Sequence, residues 1–209
     1  MISTAQMKVL EAKSEGYGVS RQILMERAGK GVFSILQTLL EPGMRVLVVC
    51  YHGNNGGDGF VAARYIAQIC SVDVLFLGDE SKMSFETLGN LLALKKVSDV
   101  RIIVDAKKVN FNDYSFLIDA LFGTGVRGMI HDPLGSVILR FNRAMGYKVS
   151  IDVPSGIDPD SGERKNVFVL PNLLIAIHDL KKGLGAYRSI TKRVDLWHKD
   201  ERRDILKKE

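Results

Sequence analysis

The chain has 209 residues, 46% of them apolar and 25% charged, and a net charge of +5; this balance excludes a disordered chain and fits one domain large enough to bury a core. No long basic block interleaves with aromatics, which argues against a nucleic-acid track and suits a small anionic ligand better. Cys50 and Cys70 are the only cysteines, and both lie in apolar runs, so they are expected as buried, reduced thiols of a soluble cytosolic protein, with no signal peptide and no apolar run near the ~18 residues of a membrane span.

Ser3-Thr4-Ala5-Gln6 reads as a capping box opening a short helix to about Glu15, broken by Gly16 and Gly18. Ser20 caps a second helix, in which Ile23, Met25, Ala28, Val32, Ile35, Leu36 and Leu39 share one side before Pro42-Gly43 ends it. From Arg45 onward, apolar strands alternate with helical runs: strand 45–50, helix 60–70, strand 73–78, helix 83–96, then strands 100–105 and 115–120. Asp132 is the expected N-cap of a further helix, with Pro133 at its first position and Gly146 closing it. Strand 148–153, a turn at 154–162, apolar runs 166–170 and 173–178, and a short run 193–197 follow. Residues 199–209 carry five basic and four acidic side chains and are read as a solvated tail. Continuous Val/Ile/Leu strands alternating with helices predict a three-layer α/β fold with a mostly parallel central sheet. The two N-terminal helices stand outside the repeat, and no linker divides residues 1–209.

Three loops follow strand ends, where open parallel sheets bind ligands. The first is His52-Gly53-Asn54-Asn55-Gly56-Gly57-Asp58-Gly59, with four glycines and two asparagines in eight positions. Such a stretch is a poor helix or strand interior, but it can turn successive N–H groups toward an anion, and a helix starting at about Asp58 would add its positive end. A P-loop is excluded, because no Lys-Ser/Thr follows the glycines. Gly57 to Ala62 satisfies G-x-G-x-x-A, with Asp79 at the spacing of a ribose-binding acid, yet six residues separate Cys50 from Gly57. That leaves only a weak NAD fingerprint, and with it an NAD-dependent dehydrogenase as one alternative.

The second loop runs from Asp119 to Gly128. Asp119 ends an apolar strand, so a partly buried carboxyl suited to acid/base work is expected, against the plainer reading of an aspartate that only bonds loop N–H groups. Gly123-Thr124-Gly125 lets backbone approach a ligand, and Arg127 can pair with phosphate. The third loop is Asp152-Val153-Pro154-Ser155-Gly156-Ile157-Asp158. Asp152 could accept from a ribose hydroxyl, while Ser155 lacks the G-x-S-x-G context of a nucleophile and reads as a turn hydroxyl or an ion ligand. The oxygen-rich donor set suits a hard cation better than zinc.

With these loops in hand, the chain resembles the NAD(P)HX epimerase family, also called the YjeF N-terminal domain. The resemblance covers nearly the whole chain and is carried by Leu24-Met25-Glu26-Arg27-Ala28-Gly29, GNNGGDGFVAAR, DALFGTG, IDVPSGID and HDLKKGL at 178–184. It implies a Rossmann-like fold, usually as a homodimer, that interconverts the R and S epimers of hydrated NADH or NADPH. By the same resemblance Asn54, Asn55, Gly56, Gly57 and Asp58 would line the substrate. Gly123, Thr124, Gly125, Val126, Arg127, Gly128 and Met129 would wrap it, Asp152 would contact it, and Asn55, Asp119 and Ser155 would hold a potassium ion. Loss and re-addition of the hydroxyl would need an acid/base carboxylate, with Asp119 the first candidate and Asp152 the second.

The chain departs from the family's usual Cys-Gly-x-Gly at Cys50-Tyr51-His52-Gly53, which puts bulky residues at two positions, and at Lys182, where the family commonly has Pro; only Lys181 carries over, as an anion contact. Many relatives are fused to an ATP- or ADP-dependent dehydratase, which for this chain would be a separate protein. A non-catalytic dimeric scaffold module of the same fold is the other alternative. Nucleic-acid and membrane partners are not expected.

Overall fold

The computed structural model describes residues 1–125, 128–198, 200, 201 and 205. Helix α1 spans Thr4–Gly16 and opens on the expected capping box: the Ser3 hydroxyl accepts from the Gln6 N–H, and the Gln6 side chain accepts from the Ser3 N–H. Helix α2 (Arg21–Leu36) is capped by Ser20, and α4 (Phe85–Leu94) by Ser84, each cap stabilising its helix by about 1 kcal/mol. The strands are β1 (Arg45–Cys50), β2 (Ser71–Phe76), β3 (Val100–Ile103), β4 (Phe116–Ala120), β5 (Tyr147–Ile151), β6 (Leu173–Ile177) and β7 (Thr191–Val194). Helix α3 (Asn54–Ile66) follows β1, and α5 (Leu134–Arg143) follows β4.

The strands form one sheet in the order β3-β2-β1-β4-β5-β6-β7, every neighbouring pair parallel. Because side chains alternate along a strand, Val46, Val48 and Cys50 of β1 pack with α2 and α3, while Leu47 and Val49 face α5. Both faces are covered, which explains the unbroken apolar strands. The chain leaves β1 toward β2 on one side and later returns to β4 on the other, so a crevice opens between the carboxyl ends of β1 and β4.

Several expectations are corrected. Helix α3 starts at Asn54, not near Asp58, so the glycines lie inside its first turns. They serve close packing: a Cβ at Gly56 would strike the Tyr51 carbonyl oxygen, and one at Gly59 would meet Ala120 and Cys50. Helix α5 begins at Leu134 and ends at Arg143, short of Gly146; the Asp132 carboxylate still accepts from the Ser136 N–H at 2.9 Å and so caps it from one position further out. Residues 166–170 form no strand. They run beside the third loop, where Val169 N–H donates to Ser155 O at 2.8 Å, and Pro171 ends the run. The tail is not simply solvated. Ile205 is fully buried in the core, and Arg27 grips Glu201 through two hydrogen bonds of 2.6 and 3.0 Å. Both thiols are buried and free. Among the described residues no helix is long and apolar enough to cross a membrane.

Candidate active site

The crevice holds a cavity of about 720 Å³, within the range of small-molecule sites. The first loop contributes Tyr51, His52, Asn54, Asn55 and Asp58, and the second contributes Phe122, Gly123, Thr124, Gly125 and Met129. Asp152 and Lys181 close the far side, and α1 forms a wall with Met7, Lys8 and Glu11. Of the residues expected to touch substrate, Asn54, Asn55, Asp58, Gly123, Thr124, Gly125, Met129 and Asp152 line the cavity. Gly56 and Gly57 are buried in helix packing, Gly57 against Met25, and Gly128 lies outside the lining. Val126 and Arg127 lie outside the described residues.

At the start of α3, Gly53 offers no side-chain cap, and the N–H of Gly57 is the first to bond back, to Gly53 O at 3.2 Å. Gly53, Asn54 and Asn55 of that first turn line the cavity, the setting an anion site requires. The Asn55 side chain is only 7% exposed, yet neither its amide nitrogen nor its oxygen has a hydrogen-bond partner among the described residues. An orphaned buried carboxamide is costly, by about 1–3 kcal/mol, unless something else satisfies it.

Asp119 is wholly buried and does not line the cavity. Strand alternation puts it on the α5 side of the sheet with Leu117, opposite Ser150 in the β4–β5 register. Its carboxylate accepts from Ser155 Oγ (2.6 Å), Ser155 N (2.9 Å), Ser150 Oγ (2.8 Å) and Leu121 N (3.3 Å). Burial raises its proton affinity, and these bonds pull it partly back. Ser155 Oγ accepts in turn from Phe122 N at 2.9 Å, which ties the second and third loops together.

Asp152 has φ +63°, a left-handed conformation that aspartate tolerates better than most residues. The turn aims its Oδ1 at the Ile177 N–H (3.1 Å) and at Lys181 Nζ (2.5 Å). The Lys181 ammonium donates also to the carbonyls of Ile177 (3.2 Å) and Asp179 (3.3 Å). Lys181 is thus an ion-pair partner of Asp152. Asp58, across the cavity, is pushed well above the carboxylate range, chiefly by burial and then by the charges of Asp152 and Glu11.

Tyr51 and His52 form an aromatic wall with ring centres 3.9 Å apart, and Tyr51 meets Phe122 edge-on at 5.4 Å. Burial lowers the His52 pKa, and its Nδ1 accepts from the Asp79 N–H at 3.3 Å. Asp79 itself caps a short turn through the Ser81 N–H at 3.0 Å, outside the cavity lining. The G-x-G-x-x-A run lies within α3 rather than between a strand and a helix, so the dinucleotide fingerprint loses both its turn and its acid. Sequence reasoning missed Glu11. Only Met7 and Ser14 of α1 are buried, so its pattern names no inward polar position.

A family model described as "YjeF-related protein N-terminus" matches residues 21–183. The chain is 38% identical over 198 residues to the bifunctional NAD(P)H-hydrate repair enzyme Nnr of Methanopyrus kandleri, covering 90% of this chain and 39% of that protein. It is 32% identical over 195 residues to the NAD(P)H-hydrate epimerase of Nitrosopumilus maritimus, covering 91% of this chain and 90% of the other. Its fold is similar to the crystal structure of yeast ynu0, YNL200c, with a TM-score of 0.72 at 22% identity, over 93% of this chain and 90% of that one. The chain therefore spans about two-fifths of the length of the bifunctional relatives and nine-tenths of the length of the epimerase.

Proposed function

The chain belongs to the YjeF-related protein N-terminus family, and from that premise we propose that it is an NAD(P)H-hydrate epimerase, an isomerase acting in nicotinamide nucleotide repair. The observation that carries the reading is the cavity itself: carboxyls from Asp58 and Asp152 face a space bounded by a helix N-terminus on one side and an aromatic wall on the other. The helix N-terminus suits the pyrophosphate, and the aromatic wall suits a ring.

In the proposed reaction a carboxyl donates its proton to the ring hydroxyl, which leaves as water while the ring-nitrogen lone pair forms an iminium. Water then adds to either face, and the carboxylate takes back a proton. Asp119 does not line the cavity, so the acid/base role falls to Asp152 and Asp58, and Asp119 is assigned to the ion site. Potassium fits the orphaned Asn55 oxygen together with Asp119 and Ser155, an all-oxygen donor set. Bound there, the ion would supply positive charge and tie the first loop to the other two. A homodimer, a cytoplasmic location and a functional partnership with an ATP- or ADP-dependent dehydratase complete the proposal.

Purified R-NADHX incubated with the protein in potassium buffer tests the activity, with the epimers separated chromatographically over time. Approach to the R/S equilibrium faster than in buffer is expected. A rate equal to the buffer control overturns the enzyme reading in favour of a scaffold module.

A further inference from the structure

Glu11, Asp58, Asp152 and Lys181 come from four separate segments and line one cavity. Glu11 and Asp58 also line a second, smaller chamber of about 330 Å³ between α1, α2 and α3, to which Lys8 and Arg21 contribute. The two carboxyls therefore stand at the partition between the chambers. Asn55, one turn before Asp58, opens its unpartnered and 7% exposed carboxamide on the same cavity, which marks the place as built for a ligand rather than as a solvated acidic face.

The nearby cations are unequally shared. Lys181 is committed to Asp152 at 2.5 Å and to two carbonyls. Glu11 itself holds its proton more tightly than an ordinary glutamate, first through burial and then through the charge of Asp152, with Lys181, Arg21 and Lys8 opposing; Arg21 also pairs with Glu15 at 2.9 Å. Asp58 has neither kind of partner: among the described residues no hydrogen bond or ion pair reaches its carboxyl. Lys181 acts on it only through space, against the repulsion of Asp152 and Glu11. Nor is any group of three or more His, Cys, Asp or Glu among the described residues placed to hold a metal ion. Carboxyls that share one cavity without a cation for each favour the retention of a proton.

We propose that Glu11 is a positioning residue whose carboxylate keeps a proton on Asp58, making Asp58 the acid that protonates the departing hydroxyl. The acid role rests on the epimerase reading; the coupling between the two carboxyls does not. In the reaction the Asp58 O–H bond breaks, the C–O bond breaks with release of water, and the nitrogen lone pair closes the C=N bond. Re-addition forms the C–O bond and returns the water's proton to Asp58, so no oxidant or reductant is needed. Glu11 is held in register by an isolated bridge: Ile2 N–H donates to Leu180 O at 3.0 Å and Lys182 N–H to Ile2 O at 3.1 Å, either side of Lys181.

The test compares wild type with Glu11→Gln and Glu11→Asp by two readouts. The first is a carboxyl ¹³C titration of the free protein, with the Asp58 signal assigned through Asp58→Asn; the second is the pH profile of epimerisation. Glu11→Gln is expected to lower the Asp58 midpoint by about one pH unit and to move the alkaline inflection of kcat down with it, with less change in KM. Glu11→Asp is expected to restore most of both. An unchanged Asp58 midpoint in folded Glu11→Gln overturns the proposal whatever the activity. Should Glu11→Gln fail to fold, Glu11→Ala takes its place in the same titration: an Asp58 midpoint equal to wild type overturns the proposal, and one lowered by about one pH unit supports it. If the midpoint moves but wild type does not epimerise, the coupling stands and the functional reading falls.

Discussion

Lys181 Nζ lies 2.5 Å from Asp152 Oδ1, with the lysine side chain 1% exposed and the aspartate 14%. A buried pair of this kind contributes little by existing, but it is expensive to break from one side. Lys181→Met is expected to lose about 3–5 kcal/mol in urea unfolding and to slow epimerisation by about 100-fold or more. Adding Asp152→Asn to it is expected to recover stability without recovering activity. A double variant as unstable as Lys181→Met would contradict the ion-pair account.

Asp58 holds its proton more tightly in the folded chain than in the unfolded one, because burial and the charges of Asp152 and Glu11 oppose ionisation. Stability contributed by that proton is present below the ordinary carboxylate range and declines as pH rises through the raised folded value. Asp58→Asn carries no such penalty. Its melting temperature is expected to exceed that of wild type by a margin that grows from pH 5 to pH 9, while epimerisation falls about 100-fold or more. A constant margin across that range would refute the linkage.

The buried Asn55 carboxamide gives the ion proposal a readout independent of turnover. A ligand at ten times its dissociation constant stabilises by about 1.4 kcal/mol. Wild type is expected to melt at a higher temperature in potassium chloride than in choline chloride of equal ionic strength, and Asn55→Leu to melt equally in both. Equal melting of wild type in the two salts would remove potassium from the site.

The glycines of α3 should not be equivalent. Gly53 has φ −81° and nothing within 4 Å of a Cβ, whereas a Cβ on Gly56 would run into the Tyr51 carbonyl. Gly53→Ala is expected to shift stability by less than about 0.5 kcal/mol. Gly56→Ala is expected to destabilise by about 1–3 kcal/mol and to disturb Tyr51 and the cavity wall with it. Thermal melts of the two variants check the contrast.

The strand at 45–50 was legible end to end because Val46 to Val49 are buried on both faces of a parallel sheet, a pattern with no polar alternation to confuse it. The caps at Ser3 and Ser20 follow from local chemistry. The glycine-rich stretch was located but misread as loop, since glycine signals either unusual dihedrals or close approach, and only the packed neighbours Tyr51, Met25 and Ala120 decide between them. Asp119 and Asp152 both end strands, yet one lies under the sheet's far face and the other beside the cavity. Strand alternation and the left-handed turn at Asp152 separate them, and neither is written in a strand-end aspartate alone. Ile205 was hidden for the opposite reason: one apolar residue among charges carries no period.

The bridge between Ile2 and Lys181 gives the amino-terminal helix a practical importance beyond its size. A chain shortened to begin at α2 would retain all three strand-end loops and would still be recognised by its motifs. It would lose Glu11, the backbone bonds flanking Lys181, and the Ser14 hydroxyl that accepts from the Trp197 indole at 2.8 Å. Such a fragment is a poor stand-in for the full chain. Its carboxyls would meet bulk water, their differences in proton affinity would narrow, and an inactive preparation would say more about where it was cut than about the chemistry of the family.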